Sequence, residues 1–282
     1  MTVSSSGRSV VITGAAGGLG GATLRRLANH GWTVYAADLD SAALQALASE
    51  QVVPIAVDVT DEVSVTNLAE RVTAETDQLT AVINFAGVVG VGPLVEIEPA
   101  DFRRVLDVNV VGSFLVNRAL FPLLHRASVA GSGGRIVLLS SETGWQTAMP
   151  FNGPYAISKH AIEAYGDSLR RELMILGVDV VKIQPGAFKT GMVESIMGRF
   201  ERLADASTYY PRVLRLAQKR VPQEERRAGD PADLAALIEK VLTARRPRPA
   251  YRIHTNPQAA ALSALPGRVV DRLLLTAFRH SA

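Results

Sequence analysis

Short apolar runs alternate along the chain with segments whose apolar residues recur every third or fourth position. The runs are Ser9–Thr13, Thr33–Ala37, Val52–Val57, Thr80–Asn84, Arg135–Ser140 and Val178–Gln184, and each reads as a strand; Tyr251–Thr255 makes a possible seventh. Helical spacing fills the gaps. Thr23–His30 stops at Gly31, Ser41–Ser49 has Ser41 as its cap, and Asp61–Glu75 follows. Asp101–Arg126 holds one or two helices, and Pro154–Leu176 is entered through Asn152-Gly153-Pro154, a cap and a first-turn proline. Continuous apolar strands alternating with helices predict a parallel sheet covered on both faces. Right-handed crossovers then leave an α/β, doubly wound sheet of about seven strands. Arg245–Pro249 is the one break in the pattern and is too short to separate domains. Residues 1–255 therefore read as a single domain, and 256–282 as a helical extension.

Composition narrows the class. Hydrophobic residues make up 48% and charged residues 20%, which excludes a disordered chain. With no cysteine there is no disulfide framework, thiolate zinc site or cysteine nucleophile, and a reducing compartment fits. His30, His125, His160, His254 and His280 show no metal-ligand spacing, so no metal is expected. The net charge of +3 is too small to imply a nucleic-acid partner. Charge is uneven, however: seven arginines and one acid, Asp271, lie between Arg245 and Ala282. Within that stretch Leu262–Phe278 carries an apolar stripe flanked by Arg268, Arg272 and Arg279. Docking on the domain or on a partner subunit is expected for it, with weak peripheral contact to an anionic bilayer as the alternative. Without a signal-like leader or an apolar window of about 20 residues, the expectation is a cytoplasmic protein with no transmembrane segment.

Thr13–Gly21 reads TGAAGGLGG, follows a strand and opens a helix. Glycines there let backbone approach a pyrophosphate, and the helix N-terminus offers N–H donors and a positive dipole. The strand–turn–helix context predicts a dinucleotide site in a Rossmann-type sheet, with a purely structural glycine turn as the alternative. Asp38 ends the second strand 24 residues beyond Gly14. A carboxylate at that place accepts hydrogen bonds from both adenosine ribose hydroxyls and repels a 2′-phosphate. The segment from Gly14 to Gly20 holds no Lys or Arg, and Leu39 follows Asp38, so NAD is expected over NADP. A turn or capping role for Asp38 beside Ser41 is the bland alternative.

Tyr155 and Lys159 lie four apart on one helix and share a face. The serine pair Ser140-Ser141 ends the strand before it. Taken in order, TGAAGGLG, Asp58-Val59, NFAG (Asn84–Gly87), Asn109-Val110, the serine pair, YAISK (Tyr155–Lys159) and PGAFKT (Pro185–Thr190) resemble the short-chain dehydrogenase/reductases, in their shorter single-domain branch. The resemblance covers roughly residues 9–255.

That resemblance implies catalytic roles for Asn109, Ser141, Tyr155 and Lys159. Tyr155 would exchange a proton with the substrate oxygen. An ordinary tyrosine near pKa 10 is a poor base at neutral pH, and Lys159 would lower it. Ser141 would hydrogen-bond the substrate oxygen, and Asn109 would hold a relay water. The cofactor set implied is Gly14, Ala16, Gly18, Leu19, Gly20, Asp38, Leu39, Asp58, Val59, Asn84, Ala86, Gly87, Tyr155, Lys159, Pro185, Gly186, Phe188 and Thr190. Asp58 would accept from the adenine amino group; Asn84, Ala86 and Gly87 would line ribose and pyrophosphate.

Two departures stand out. Phe85 replaces the second Asn of the family's NNAG and loses an amide. Ser141 lies 14 residues before Tyr155, one more than the family spacing, which leaves Ser140 as an alternative. An insertion within Glu142–Gly153 accounts for the extra residue.

Substrate choice should lie after PGAFKT. Met192, Val193, Ile196, Met197, Phe200 and Leu203 recur at helical spacing and suggest a lid, about 191–228, over a bulky apolar substrate, with Met149 and Phe151 opposite. The substrate pocket is thus expected to include Met149, Phe151, Met192 and Met197. YAISKHAIEAYGDSLRREL and LPGRVVDRLL look like the hydroxysteroid and retinol dehydrogenase branch. The expectation is an NAD-dependent oxidoreductase of hydrophobic alcohols and their ketones or aldehydes, acting as a homodimer or homotetramer. The rivals are a 3-oxoacyl carrier-protein reductase, which would be expected to use NADP, and a catalytically silent dinucleotide sensor or scaffold.

Overall fold

The computed structural model describes residues 7–219 and 226–279, apart from the side chains of residues 192–195 and 279. Seven strands form one parallel sheet: β1 (Ser9–Thr13), β2 (Thr33–Asp38), β3 (Val52–Ala56), β4 (Ala81–Asn84), β5 (Arg135–Leu139), β6 (Asp179–Pro185) and β7 (Ala250–Ile253). Their order is β3-β2-β1-β4-β5-β6-β7. The order reverses between β1 and β4, and ligands of such sheets bind beyond the carboxyl ends of the strands at that point. Register brings Thr13 beside Ala37 on one side and Asn84 on the other, so the turns after β1, β2 and β4 emerge together.

β1 is buried along its whole length, and its alternate residues feed two cores. Val10 and Ile12 face a cluster with Leu24 and Leu27 of α1 (Gly18–Asn29) and Leu234 and Ile238 of α9 (Pro231–Thr243). Val11 faces the opposite cluster, with Leu68 and Val72 of α3 (Glu62–Glu75), Leu120 and Leu124 of α5 (Gly112–Val129), and Ile162 of α6 (Gly153–Leu173). Arg26 pairs with Glu239 at 2.6 Å and pins α1 to α9.

The predicted elements hold within a few residues, with one correction. The cap of α2 (Ser41–Gln45) is Asp40, whose Oδ1 accepts the Ala43 N–H at 2.9 Å. Asp40 keeps a non-helical backbone, whereas Ser41 is already inside the first turn. The region after β4 resolves into α4 (Pro99–Leu106) and α5, joined by a π turn over Asp107–Val111. This continuous run of 31 residues is long and apolar enough to cross a bilayer by length and composition, contrary to the expectation of no such window. Its apolar side, including Leu115, Val116 and Leu120, is built into the core.

After β6 come α7 (Met192–Ala206) and α8 (Pro211–Gln218), within the region expected as a lid; residues 220–225 of that region lie outside the described residues. The extension forms α10 (Pro257–Ser263) and α11 (Gly267–Arg279). α11 docks: Val270 is buried, and the Phe278 ring meets Phe151 edge-on at 6.3 Å. Its outward side leaves Val269, Leu273 and Leu275 exposed.

Candidate active site

A cavity of about 890 Å³ opens along the carboxyl ends of β1, β2, β4, β5 and β6. One end is made of backbone. Gly14 adopts φ +68°, and a side chain there would meet Phe85 and the Ala86 nitrogen at 2.7 Å. A Cβ at Gly20 would sit 2.1 Å from the Gly14 carbonyl oxygen, and one at Gly18 would sit 2.7 Å from Thr190 Cγ2. Gly14 and Gly20 admit only glycine unless backbone moves, whereas a Cβ at Gly18 would press on the Thr190 side chain. α1 starts there behind Gly17, with no side chain capping it, so its first N–H groups remain directed at the cavity's anion end.

Asp38 stands on the same wall. Its Oδ2 accepts the Ala16 N–H at 2.9 Å and its Oδ1 the Asp40 N–H at 3.1 Å. The carboxylate thus fixes the glycine turn and retains lone pairs for further donors. Leu39, Asp58, Val59 and Thr60 continue the wall. Thr60 donates to Asp58 Oδ1 through both N–H (2.9 Å) and hydroxyl (2.7 Å), and these bonds hold the Asp58 carboxyl below its ordinary range. An acid with free lone pairs beside a glycine turn at a helix start fits the ribose and pyrophosphate of a dinucleotide.

The catalytic end is built from the β5–α6 connection and from α6. Tyr155 and Ser141 both line the cavity, and their hydroxyls hydrogen-bond. Burial pushes the Tyr155 hydroxyl up to about 12; the Ser141 bond opposes that, and the nearby Glu142 charge adds to it. The expectation from Lys159 was the opposite direction. Lys159 is 5% exposed; its Nζ donates to the Leu139 carbonyl at 2.8 Å and lies 5.4 Å from the Tyr155 ring centre. Burial lowers its ammonium to about 8. Of the serine pair, Ser141 reaches Tyr155, while the Ser140 hydroxyl is buried beside Gly144.

Several expected site residues stand behind the cavity wall. Asn109, in the π turn, donates to the Val88 carbonyl (3.0 Å) and Ser158 Oγ (2.9 Å) and accepts the Val88 N–H (2.8 Å). Both amide donors are therefore committed, and neither is free for a relay water. Ser158, unmarked in the sequence, passes the network to the Tyr155 carbonyl at 2.7 Å. Asn84 is not among the residues lining the cavity. It is buried, and its Nδ2 donates to Asn117 Oδ1 at 2.9 Å, tying β4 to α5. Ala16 acts through its N–H on Asp38. Phe85 replaces the lost amide with apolar packing in the core and on the wall.

The apolar side departs furthest from expectation. Ile196, Val88, Leu139 and Phe188 line the cavity; Met149, Phe151 and Met197 do not. Met149 is exposed. Phe151, at φ +66°, stacks edge-on against Tyr210 at 5.4 Å and joins a satellite cluster with Phe200 and Leu214. An aromatic ring gains more from that closed cluster than from an open wall. Met192's side chain lies outside the described residues. Arg104 and Asp107, which the motifs did not mark, also line the cavity from α4 and the π turn. No group of metal-ligating side chains occurs among the described residues.

A family model described as short chain dehydrogenase matches residues 8–199. Retinol dehydrogenase 16 of Mus musculus is 33% identical over 94% of this chain and 87% of its own. An NADPH-dependent 3-dehydrocapnine reductase of Ornithobacterium rhinotracheale is 29% identical over 94% and 95%. Among solved structures, a short chain dehydrogenase/reductase from Burkholderia phymatum in complex with NAD superposes with TM-score 0.76 and 25% identity, covering 95% of each chain.

Proposed function

The chain belongs to the short-chain dehydrogenase family, oxidoreductases of alcohols and carbonyls, and from that premise we propose that it interconverts a hydrophobic alcohol and its ketone or aldehyde, with NAD as the preferred cofactor and Tyr155 as the proton-transfer group. The observation that carries this reading is the contact between the Tyr155 and Ser141 hydroxyls on one cavity wall, facing the turn of glycines and Asp38 at the other end. Gly14, Gly18 and Gly20 would admit the pyrophosphate, Asp38 the adenosine ribose, and Pro185–Thr190 the nicotinamide side. When bound, that cofactor supplies hydride acceptance and donation.

In carbonyl reduction the Tyr155 hydroxyl donates its proton to the substrate oxygen, and Ser141 hydrogen-bonds the same oxygen as charge develops. A tyrosine pushed up to about 12 is fully protonated at neutral pH, the state this direction needs. In alcohol oxidation Tyr155 must first lose that proton. Lys159, while it keeps its proton below about 8, is the cation able to favour that anion, so oxidation should accelerate as pH rises toward that value. Ile196, Val88, Leu139 and Phe188 give the reacting end an apolar surround, suited to a lipophilic substrate.

The NADPH-dependent relative supports a second reading, NADP use in the reductive direction. Asp38 favours NAD, because a 2′-phosphate of about −2 charge would meet its carboxylate. The deciding experiment follows reduction of NAD and NADP with a panel of lipophilic primary and secondary alcohols. Turnover with NAD that Tyr155→Phe abolishes sustains the proposal. Absence of turnover with every alcohol and carbonyl, despite tight NADH binding, would favour the silent sensor.

A further inference from the structure

We propose that Glu142 is a positioning residue that makes the C-terminal extension a working part of the catalytic loop: its carboxylate fastens the entry of α10 to the segment that presents Ser141 to Tyr155. The inference rests on Tyr155 being the proton-transfer group.

Glu142 directly follows Ser141 and opens a short 3-10 turn, Glu142–Gly144. Its Oε2 accepts the Asn256 N–H at 2.6 Å and a longer bond from Gln146 Nε2 at 3.4 Å. Asn256 is itself the cap of α10, its Oδ1 accepting from Gln258 (2.9 Å) and Ala259 (3.3 Å). The other end of α10 is tied as well, because Ser263 Oγ accepts the Thr147 N–H at 2.8 Å. Both ends of this helix are therefore bonded to the loop 142–147, between the catalytic serine and the catalytic tyrosine. Charge-assisted bonds to a carboxylate are about twice as strong as neutral ones, so the Glu142 end is the firmer tie.

The electrostatic half of the argument depends on what surrounds Tyr155. Ser141 and Glu142 face it from the β5–α6 connection, and Lys159 from its own helix. Behind them, Arg252 of β7 lies 3.7 Å from the Trp145 ring centre, and Glu163 of α6 packs by Gly144 and pairs with Lys182 of β6 at 2.8 Å. Glu142 is thus the anion whose field opposes ionisation of Tyr155. A carboxylate placed there keeps the tyrosine a proton donor while holding the loop in place.

Glu142→Gln separates the two roles, since an amide oxygen still accepts from Asn256 but carries no charge. In the full chain with NAD bound, it should keep slow amide exchange over residues 256–263. It should also move the alkaline-rising limb of alcohol oxidation to lower pH by a few tenths of a unit to about one unit. Glu142→Ala should move that limb the same way and also speed exchange over 256–263 by about tenfold or more. Rescue of exchange, but not of the limb, by Gln is a pattern that a purely structural residue would not give. Wild-type exchange in Glu142→Ala overturns the proposal, and so does an unmoved limb in both variants. Should Tyr155→Phe turn over normally, the reading of Tyr155 fails by itself, and the exchange measurement still decides the tie.

Discussion

The cofactor end and the substrate end of the cavity are made from different materials. Around Gly14 and Gly20 the wall is backbone, and a single added methyl would stand 2.1–2.7 Å from a neighbouring backbone atom. Asp38 and Asp58 are fixed by hydrogen bonds to the backbone of Ala16 and Thr60. At the other end the wall is apolar side chain from separate elements: Leu139, Phe188 and Ile196. Backbone cradles tolerate no substitution and so leave a signature, whereas apolar walls can exchange members at small cost. Between the two ends lies the Ser141–Tyr155 pair, where a single group carries the proton. Substitutions should therefore have large effects in the middle, intermediate effects at the cofactor end and small ones at the substrate wall.

The largest effect expected is that of Tyr155→Phe. Removing a positioned acid/base costs ~10²–10⁴-fold in turnover, or more within a cooperating set. NADH binding, followed by fluorescence titration, should remain near wild type because the ring stays in place. A variant within tenfold of wild-type turnover would move the proton-transfer role away from Tyr155 and erase the contrast between the middle and the two ends.

At the cofactor end, Asp38→Ala combined with Leu39→Arg removes the carboxylate and supplies a cation for a 2′-phosphate. The ratio of NAD to NADP use, measured as kcat/KM, should fall by about 100-fold, equivalent to roughly 3 kcal/mol. The same swap also removes the acceptor for the Ala16 N–H, so some loss with both cofactors should accompany the change. An unchanged ratio would mean that Asp38 serves the turn and not the ribose.

These two ends also differ in how well the sequence announced them. Glycine spacing, Asp38 and the Tyr155–Lys159 step are short-range patterns; the structure brings Gly14, Gly18, Gly20, Asp38 and Tyr155 to one cavity because each sits at a strand end or on one helix face, and buries Lys159 off the lining. Asn84 was misread because its place at the end of β4 suggests the cavity while its amide turns back to Asn117. Phe151 and Met197 were misread for a different reason. Apolar residues at helical spacing specify a buried face, but not what covers it, and here Tyr210 and Phe278 cover Phe151. Glu142 carried no motif at all; its partner Asn256 is more than a hundred residues away along the chain. Only the fold brings them together.

Lys159 offers a test independent of substrate. Burial lowers Lys159 from its ordinary 10.5 to about 8, so between those values the unfolded chain binds the proton that the folded chain has released. Stability must then rise with pH across about 8 to 10.5, since the state holding more protons is the unfolded one. Below about 8 both states are protonated and the cost of the buried charge is present in full. Lys159→Met, which keeps the stem and removes the charge, should flatten that rise in denaturant midpoints measured at pH 8 and pH 10. A wild type whose midpoint does not increase over this interval would place the Lys159 ammonium in water rather than against the Leu139 carbonyl. Tyr155 and Tyr35, both pushed up to about 12, act in the opposite sense only above the ordinary tyrosine value.

The smallest effect belongs to the substrate wall. Among the described side chains of α7, Ile196 lines the cavity, one turn before Phe200, which turns away into the satellite cluster. Ile196→Ala removes apolar surface from a wall that stays partly open, so relaxation and water entry limit the loss. The expected outcome is a threefold to tenfold rise in KM for bulky lipophilic alcohols, about 1 kcal/mol, with kcat and NADH affinity little changed. Phe200→Ala provides the contrast: it should lower the thermal midpoint by opening a cavity, yet leave KM nearly alone, because its ring touches the cluster and not the site. If Phe200→Ala raises KM more than Ile196→Ala does, the satellite cluster is itself part of the substrate wall. The division between a packed lid and an exposed wall, on which the comparison of the two ends depends, would then have to be redrawn around Phe151 and Tyr210.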